Sequence, residues 1–226
     1  MSNNGKWLTS LGLLLIAAAL CLTAYNLYDS NRAGQEVLLA ANALEEKISE
    51  ASQDAPPASA DSPEHDPDEK PSAASLPTLG AEVEYPDYVL NPDMEMPVEK
   101  VNGYDYIGIL EIPVFELSVP IMSQWSYPHL KIAPCRYTGS VYKNDLILCA
   151  HNYPSHFGSI KNLLEGDQVI FTDVDGNTFR YKVAEVEILS PTAVEEMESG
   201  DWDLTLFTCT IGGQTRVTVR CVEDQP

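Results

Sequence analysis

The sequence predicts an all-β domain, a small closed β-barrel of seven to eight strands with short helices, preceded by a transmembrane helix and a disordered linker. Three observations predict it. From position 101 onward, short apolar runs alternate with period two and are separated by turn residues. Residues 7–28 carry no charged side chain. Between these regions, residues 51–100 hold nine of the sixteen prolines and a single glycine among many Ser, Asp and Glu. Such a composition buries too little apolar surface to offset the entropy of ordering it.

Taken in order, residues 1–6 are expected on the cytoplasmic side and 7–28 as a signal anchor. Twenty-two uncharged residues at ~1.5 Å each cross a ~30 Å hydrocarbon layer. Trp7, Tyr25 and Tyr28 sit at its ends, where amphipathic aromatics favour the interface. Lys6 and the N-terminus put positive charge before the span, which favours a single pass with the N-terminus inside and the rest outside. The alternatives are a cleaved signal peptide, with Leu22-Thr23-Ala24 as a poor cleavage site, and a lipoprotein signal ending at Cys21, where bulky Leu20 stands against it. Residues 29–100 are expected as an extracellular, acidic, proline-rich spacer. Within it, Val37, Ala41, Leu44 and Ile48 are spaced four, three and four, one face of a short helix over 35–49. That helix reads as a solvated extension of the anchor.

The domain proper is placed at 101–226. Strands are expected over 106–112, stopped by Pro113, and over 115–121, where Pro120 suggests an edge. A central strand runs to His151, and 157–164 reads as one or two helical turns. A hairpin joins 167–172 to Thr178–Leu189, with Asp175-Gly176-Asn177 supplying positive-φ residues. The last strands are Leu204–Cys209 and 215–222, separated by the Gly212-Gly213 turn. About 120 residues suffice for a core of their own.

The formal net charge is -21, which argues against a nucleic-acid partner, since phosphate neutralisation needs a basic face. The acid is not spread evenly. Residues 29–100 carry 17 Asp or Glu against 4 Lys or Arg, and 101–226 carry 17 against 8. Much of the excess therefore lies outside the folded part. Five cysteines, odd in number and unevenly spaced, form neither a disulfide framework nor paired zinc-ligand motifs. At least one thiol is left over for chemistry.

The sharpest candidate is Cys209, where a strand gives way to a loop. His151 ends another strand, and an arginine returns at the head of the next, Arg216, with Arg220 four residues on and on the same face. A thiol, an imidazole and a guanidinium at three strand ends are the parts of a cysteine-nucleophile site. His129 and His156 are rival bases. A buried packing role for Cys209 is the plain alternative. A zinc set of Cys149, His151 and Cys209 is permitted by alternation but lacks the usual ligand spacing. No cofactor or metal is expected, and no calcium loop of the D-x-D-x-D-G type is present.

These residues carry a resemblance. TLFTCT at 205–210 resembles the TLxTC signature of sortases, the membrane-anchored cysteine transpeptidases of Gram-positive cell surfaces. YIGILEIP at 106–113 is similar to the family's first barrel strand. ILCAHN at 147–152 and FGSIKNLLEGDQV at 157–169 are similar to its histidine segment, and TRVTVRC at 215–221 to its arginine strand. The resemblance covers roughly 104–223. It implies Cys209 as nucleophile, His151 as acid and base, and Arg216 as donor to the oxyanion; Arg216 is preferred over Arg220 because the strand start lies nearer the cysteine end of a neighbouring antiparallel strand. It implies an LPxTG-like sorting signal as substrate, and an amine of a peptidoglycan precursor or a pilin lysine as acceptor. It also implies that only a small fraction of the enzyme holds the reactive thiolate–imidazolium pair. The chain departs from the family in having Ala150 where many members have glycine. His151-Asn152 is similar to the class B pattern, yet 190–203 is too short for that class's long helix, and no second apolar span follows Val222. Residues 87–97, with Tyr88 and Met96, are the segment available to cover the site, though nothing in them marks a lid. The alternatives are a secreted cysteine peptidase of the same fold and a non-catalytic binding barrel.

Overall fold

A computed structural model describes residues 3–54 and 85–224. The core of the expected spacer, 55–84, lies outside the described residues, as do 1–2 and 225–226. Helix α1 runs unbroken over Asn3–Asp54, and a single turn, α2, follows at Asp87–Leu90. Nine strands follow: β1 Glu99–Val101, β2 Tyr104–Ile112, β3 Leu117–Met122, β4 Cys135–Thr138, β5 Leu146–Ala150, β6 Gln168–Asp173, β7 Thr178–Leu189, β8 Leu204–Cys209 and β9 Arg216–Glu223. Short helices α3 (Tyr127–Leu130) and α4 (Val194–Glu198) interrupt them.

The strand order is β1-β2-β3-β4-β5-β8-β9-β7-β6, and β6 returns to pair with β2. Eight strands thus close a barrel, and β1 is an extra strand on the edge of β2. Closure works because β2 changes partner along its length. Residues 104–106 pair with β1, and 108–111 pair with β6. Gly108 stands at the changeover, where a Cβ would lie 2.2 Å from the Thr172 carbonyl oxygen, so only glycine allows the approach. The interior is filled by Leu110, Ile112, Val119, Ile121, Leu148, Phe171, Leu206 and Val219, all fully buried.

The expected strands are all present to within a few residues. Pro120 lies where β3 has a single partner, because β3 meets β4 only at Met122. The one or two helical turns expected over 157–164 are a single 3-10 turn, Ile160–Asn162. Two expectations are corrected. In the β6–β7 turn only Gly176 has positive φ, so Asp175 and Asn177 are not left-handed. Instead the buried Asp173 carboxylate organises the turn, accepting from the backbone N–H groups of Asp175 and Asn177 and from the Asn177 amide. Finally, the 35–49 face is not solvated. Val37, Ala41 and Leu44 are buried, Ile48 is partly so, and Ala33 and Ala40 join them. This face lies on β1, β2 and β3, where Lys47 pairs with Glu99. A four-three-four apolar stripe finds an apolar wall, and burial outweighs solvation.

Candidate active site

Strands β5 and β8 are parallel neighbours, with Ala150 beside Thr208. The next residue on each is His151 and Cys209. Strands β8 and β9 are antiparallel, and Cys209 is the register partner of Arg216. Three strand ends therefore meet, and His151, Cys209 and Arg216 line one pocket of about 280 Å³. Its walls are mainly apolar: Trp125, Tyr127, Tyr137, Val194, Met197 and Phe207. Tyr137 meets Phe207 edge-on at 5.4 Å and lies against Trp125 at 5.9 Å.

All five cysteines are free, and Cys209 is half-buried. Burial pushes the Cys149 and Cys221 thiols up to about 12, so neither supplies a thiolate at neutral pH. Cys209 is thus the accessible thiol of the barrel. The tie that aligns it is one residue away. Thr208 Oγ1 donates to the Ala150 carbonyl at 2.8 Å and locks the two strand ends together within the buried layer.

His151 is half-buried. Burial pushes its imidazole below the ordinary range, Lys131 pushes the same way, and the Asp29 carboxylate pulls it back up. The rival histidines stand elsewhere. His129 lies within α3, its Nδ1 2.9 Å from the Gln124 carbonyl and its ring edge-on to Tyr104. His156 is fully buried, and burial first, then His151, pushes it down to about 4. Neither lines the pocket.

The two arginines separate sharply. Arg220 is 2% exposed. Its guanidinium donates to Glu187 at 2.8 Å, to the Met197 carbonyl at 2.8 Å, to Thr205 at 3.1 Å and to the Glu196 carbonyl at 2.5 Å. It fastens α4 to the barrel wall. Arg216 keeps only the Gly213 and Thr215 carbonyls, both at 3.2 Å, and turns toward the pocket. Residues 87–97 do not cover it. Tyr88 stacks on Tyr142 at 4.7 Å, and Met94 and Met96 line a separate cavity. Among the described residues, no group of three His, Cys, Asp or Glu is arranged to hold a metal.

Two features had no signal in the sequence. Asp29 on α1 accepts from Tyr153 Oη at 2.6 Å, and Tyr153 lies beside His151, ring centres 5.0 Å apart. The partners are 124 residues apart, beyond any local pattern. Thr208 sits inside the cysteine motif, but its role shows only once β5 is seen alongside.

A family model described as the Sortase domain matches residues 110–224, half of the chain, and takes in all three pocket residues. The chain belongs to the sortase family. Similar solved structures include sortase C1 of GBS Pilus Island 1, 21% identical over 54% of this chain and 65% of that one, with a TM-score of 0.48. The match therefore spans about two thirds of that protein. Sortase C of Clostridium perfringens, solved with the C-terminal cell wall sorting motif, is 26% identical over 54% of this chain and 72% of its own, TM-score 0.48. A Clostridium perfringens sortase D5 transpeptidase is 22% identical over 56% and 83%, TM-score 0.49. No curated protein matches the sequence. This sortase also carries, within α1, one stretch long and apolar enough to cross a membrane.

Proposed function

We propose that this sortase is a membrane-anchored cysteine transpeptidase that cuts an LPxTG-like sorting signal and passes the surface protein to an amine. The observation that carries the reading is the meeting of Cys209, His151 and Arg216 at three adjacent strand ends in one pocket. Cys209 Sγ attacks the scissile carbonyl, and the proton leaves with His151. Arg216, always charged, donates to the oxygen as it becomes an oxyanion. Collapse breaks the C–N bond, His151 returns its proton to the leaving amine, and a thioester remains on Cys209. An incoming amine, from a peptidoglycan precursor or a pilin lysine, loses its proton to His151, attacks the thioester and frees the thiol. The apolar walls suit a substrate with aliphatic side chains. Residues 7–28 hold the enzyme in the membrane, N-terminus inside and barrel outside.

The test uses the full chain in detergent with a quenched LPxTG-like peptide, with and without an amine acceptor. A ligated product is expected with the amine, and Cys209→Ala and His151→Ala are expected to lose turnover while keeping the wild-type Tm. Peptide cleavage retained by Cys209→Ala, or a Cys209 that resists alkylation in the native state, overturns the assignment. Hydrolysis with no ligation to any amine favours a peptidase.

A further inference from the structure

The histidine of this pocket has a carboxylate neighbour that comes from outside the barrel. Asp29 follows directly on the uncharged stretch 7–28, yet its side chain is only 15% exposed. Two partners hold it. Arg32 pairs with it at 3.3 Å along the helix, and Tyr153 Oη donates to it at 2.6 Å from the loop after β5. That loop is tightly wound. His156 and Gly158 N–H groups donate to the Tyr153 carbonyl at 3.0 and 2.9 Å, and Phe157 N–H donates to the His151 carbonyl at 3.2 Å. At Gly158 a Cβ would lie 2.7 Å from the Tyr153 carbonyl oxygen. These bonds draw the Tyr153 and His151 backbones into one loop, and the Tyr153 ring packs beside the imidazole. The helix itself approaches closely, Gly34 lying against Ser155.

We propose that Asp29 is a positioning residue for His151: through Tyr153 it fixes the histidine loop, and it sets a negative charge near the imidazole where positive charge develops during the reaction. A surface aspartate paired only with its own helix would be solvated and worth little. This one is shielded and bound across elements, where charge acts at lower dielectric. The groups facing His151 are Asp29 from α1, Lys131 after α3, Cys149 on β5, Cys209 and Arg216 at the ends of β8 and β9, and Tyr153 and His156 in its own loop. Lys131 and burial disfavour the imidazolium, and Asp29 is the carboxylate that favours it. The Cys209 proton must rest on His151 between attack and departure of the amine, so support for the imidazolium raises the reactive fraction.

The inference rests on the transpeptidase reading for its kinetic consequence, but its direct readout does not. The full chain in detergent is compared with Asp29→Asn, Asp29→Glu and Tyr153→Phe. His151 is titrated by NMR of its ring, alongside kcat and KM across pH. Asp29→Asn is expected to lower the His151 pKa, to move the acid limb of the profile to lower pH, and to reduce kcat by roughly tenfold with KM within about twofold. Asp29→Glu restores both titration and rate, and Tyr153→Phe shifts the titration in the same direction. If Asp29→Asn proves unstable, Tyr153→Phe alone tests the link. An unmoved His151 titration, with or without a loss of rate, overturns the proposal. A wild-type chain that turns over no peptide, with a titration that still moves, sinks the transpeptidase reading and leaves this one standing.

Discussion

At the scale of single residues, the pocket is built by chemistry that distinguishes near-identical side chains. Arg216 and Arg220 share a face of β9, yet one is consumed by structure and the other is turned to the thiol. Arg220→Ala leaves the Met197 and Glu196 carbonyls, Thr205 and Glu187 without their donor, and is expected to cost about 3 kcal/mol of stability, read from chemical denaturation. Arg216→Ala is expected to leave the denaturation midpoint within about 0.5 kcal/mol and to lower kcat about 10²-fold or more. The reverse pattern would exchange their roles. His156 makes a separate prediction. Its folded-state pKa of about 4 lies below the ordinary 6.5, so the unfolded chain binds the proton more readily. Its stabilising share is complete above pH 6.5 and is lost as pH falls toward 4, about 3 kcal/mol in all. His156→Phe should flatten the dependence of stability on pH across that window. The strand-end thiol, imidazole and guanidinium were legible in the sequence because period two and turn residues mark where strands stop. Parity places both arginines on one face, but strand position favoured Arg216, and the register sets it opposite Cys209 and Arg220 opposite Thr205; the packing of α4 that buries Arg220 had no signal in the sequence.

At the scale of elements, the barrel was legible because each strand carries its own alternation and its own stop. The missed pieces are short or depend on partners. Strand β1 has three residues and β4 has four, too few for a period to show. The docking of α1 was missed for a different reason: the stripe at Val37, Ala41, Leu44 and Ile48 was visible, but a stripe does not name the wall it meets. With Leu44 fully buried against that wall, Leu44→Ala is expected to destabilise by about 2–5 kcal/mol, seen as a lower Tm of the full chain. A Leu44→Ala chain as stable as the wild type would mean that the helix leaves the barrel in solution. The bond from Thr208 to Ala150 belongs to this scale as well. Thr208→Val keeps the shape and removes the donor, stranding a buried carbonyl at the join of β5 and β8. About 1–2 kcal/mol of stability should go, together with a larger loss of kcat than of substrate binding, measured by steady-state kinetics.

At the scale of the whole molecule, closure and anchoring are linked. The strand order brings the ends of β5, β8 and β9 to one rim, and α1 meets the histidine loop at Asp29 and then lies across β1, β2 and β3. Continuous helix over Asn3–Asp54 means that no hinge separates the apolar stretch from the part docked on the barrel. From Tyr28 to Leu44, sixteen residues span about 24 Å of helix. With 7–28 embedded in a bilayer, the domain would ride on a stiff post instead of a leash. Its height and heading above the lipid would be set by helix geometry, with Tyr153 barely one turn from the headgroups. Targets arriving from deep in the wall would have to come down to this rim, whereas those still held in the same membrane would already be level with it.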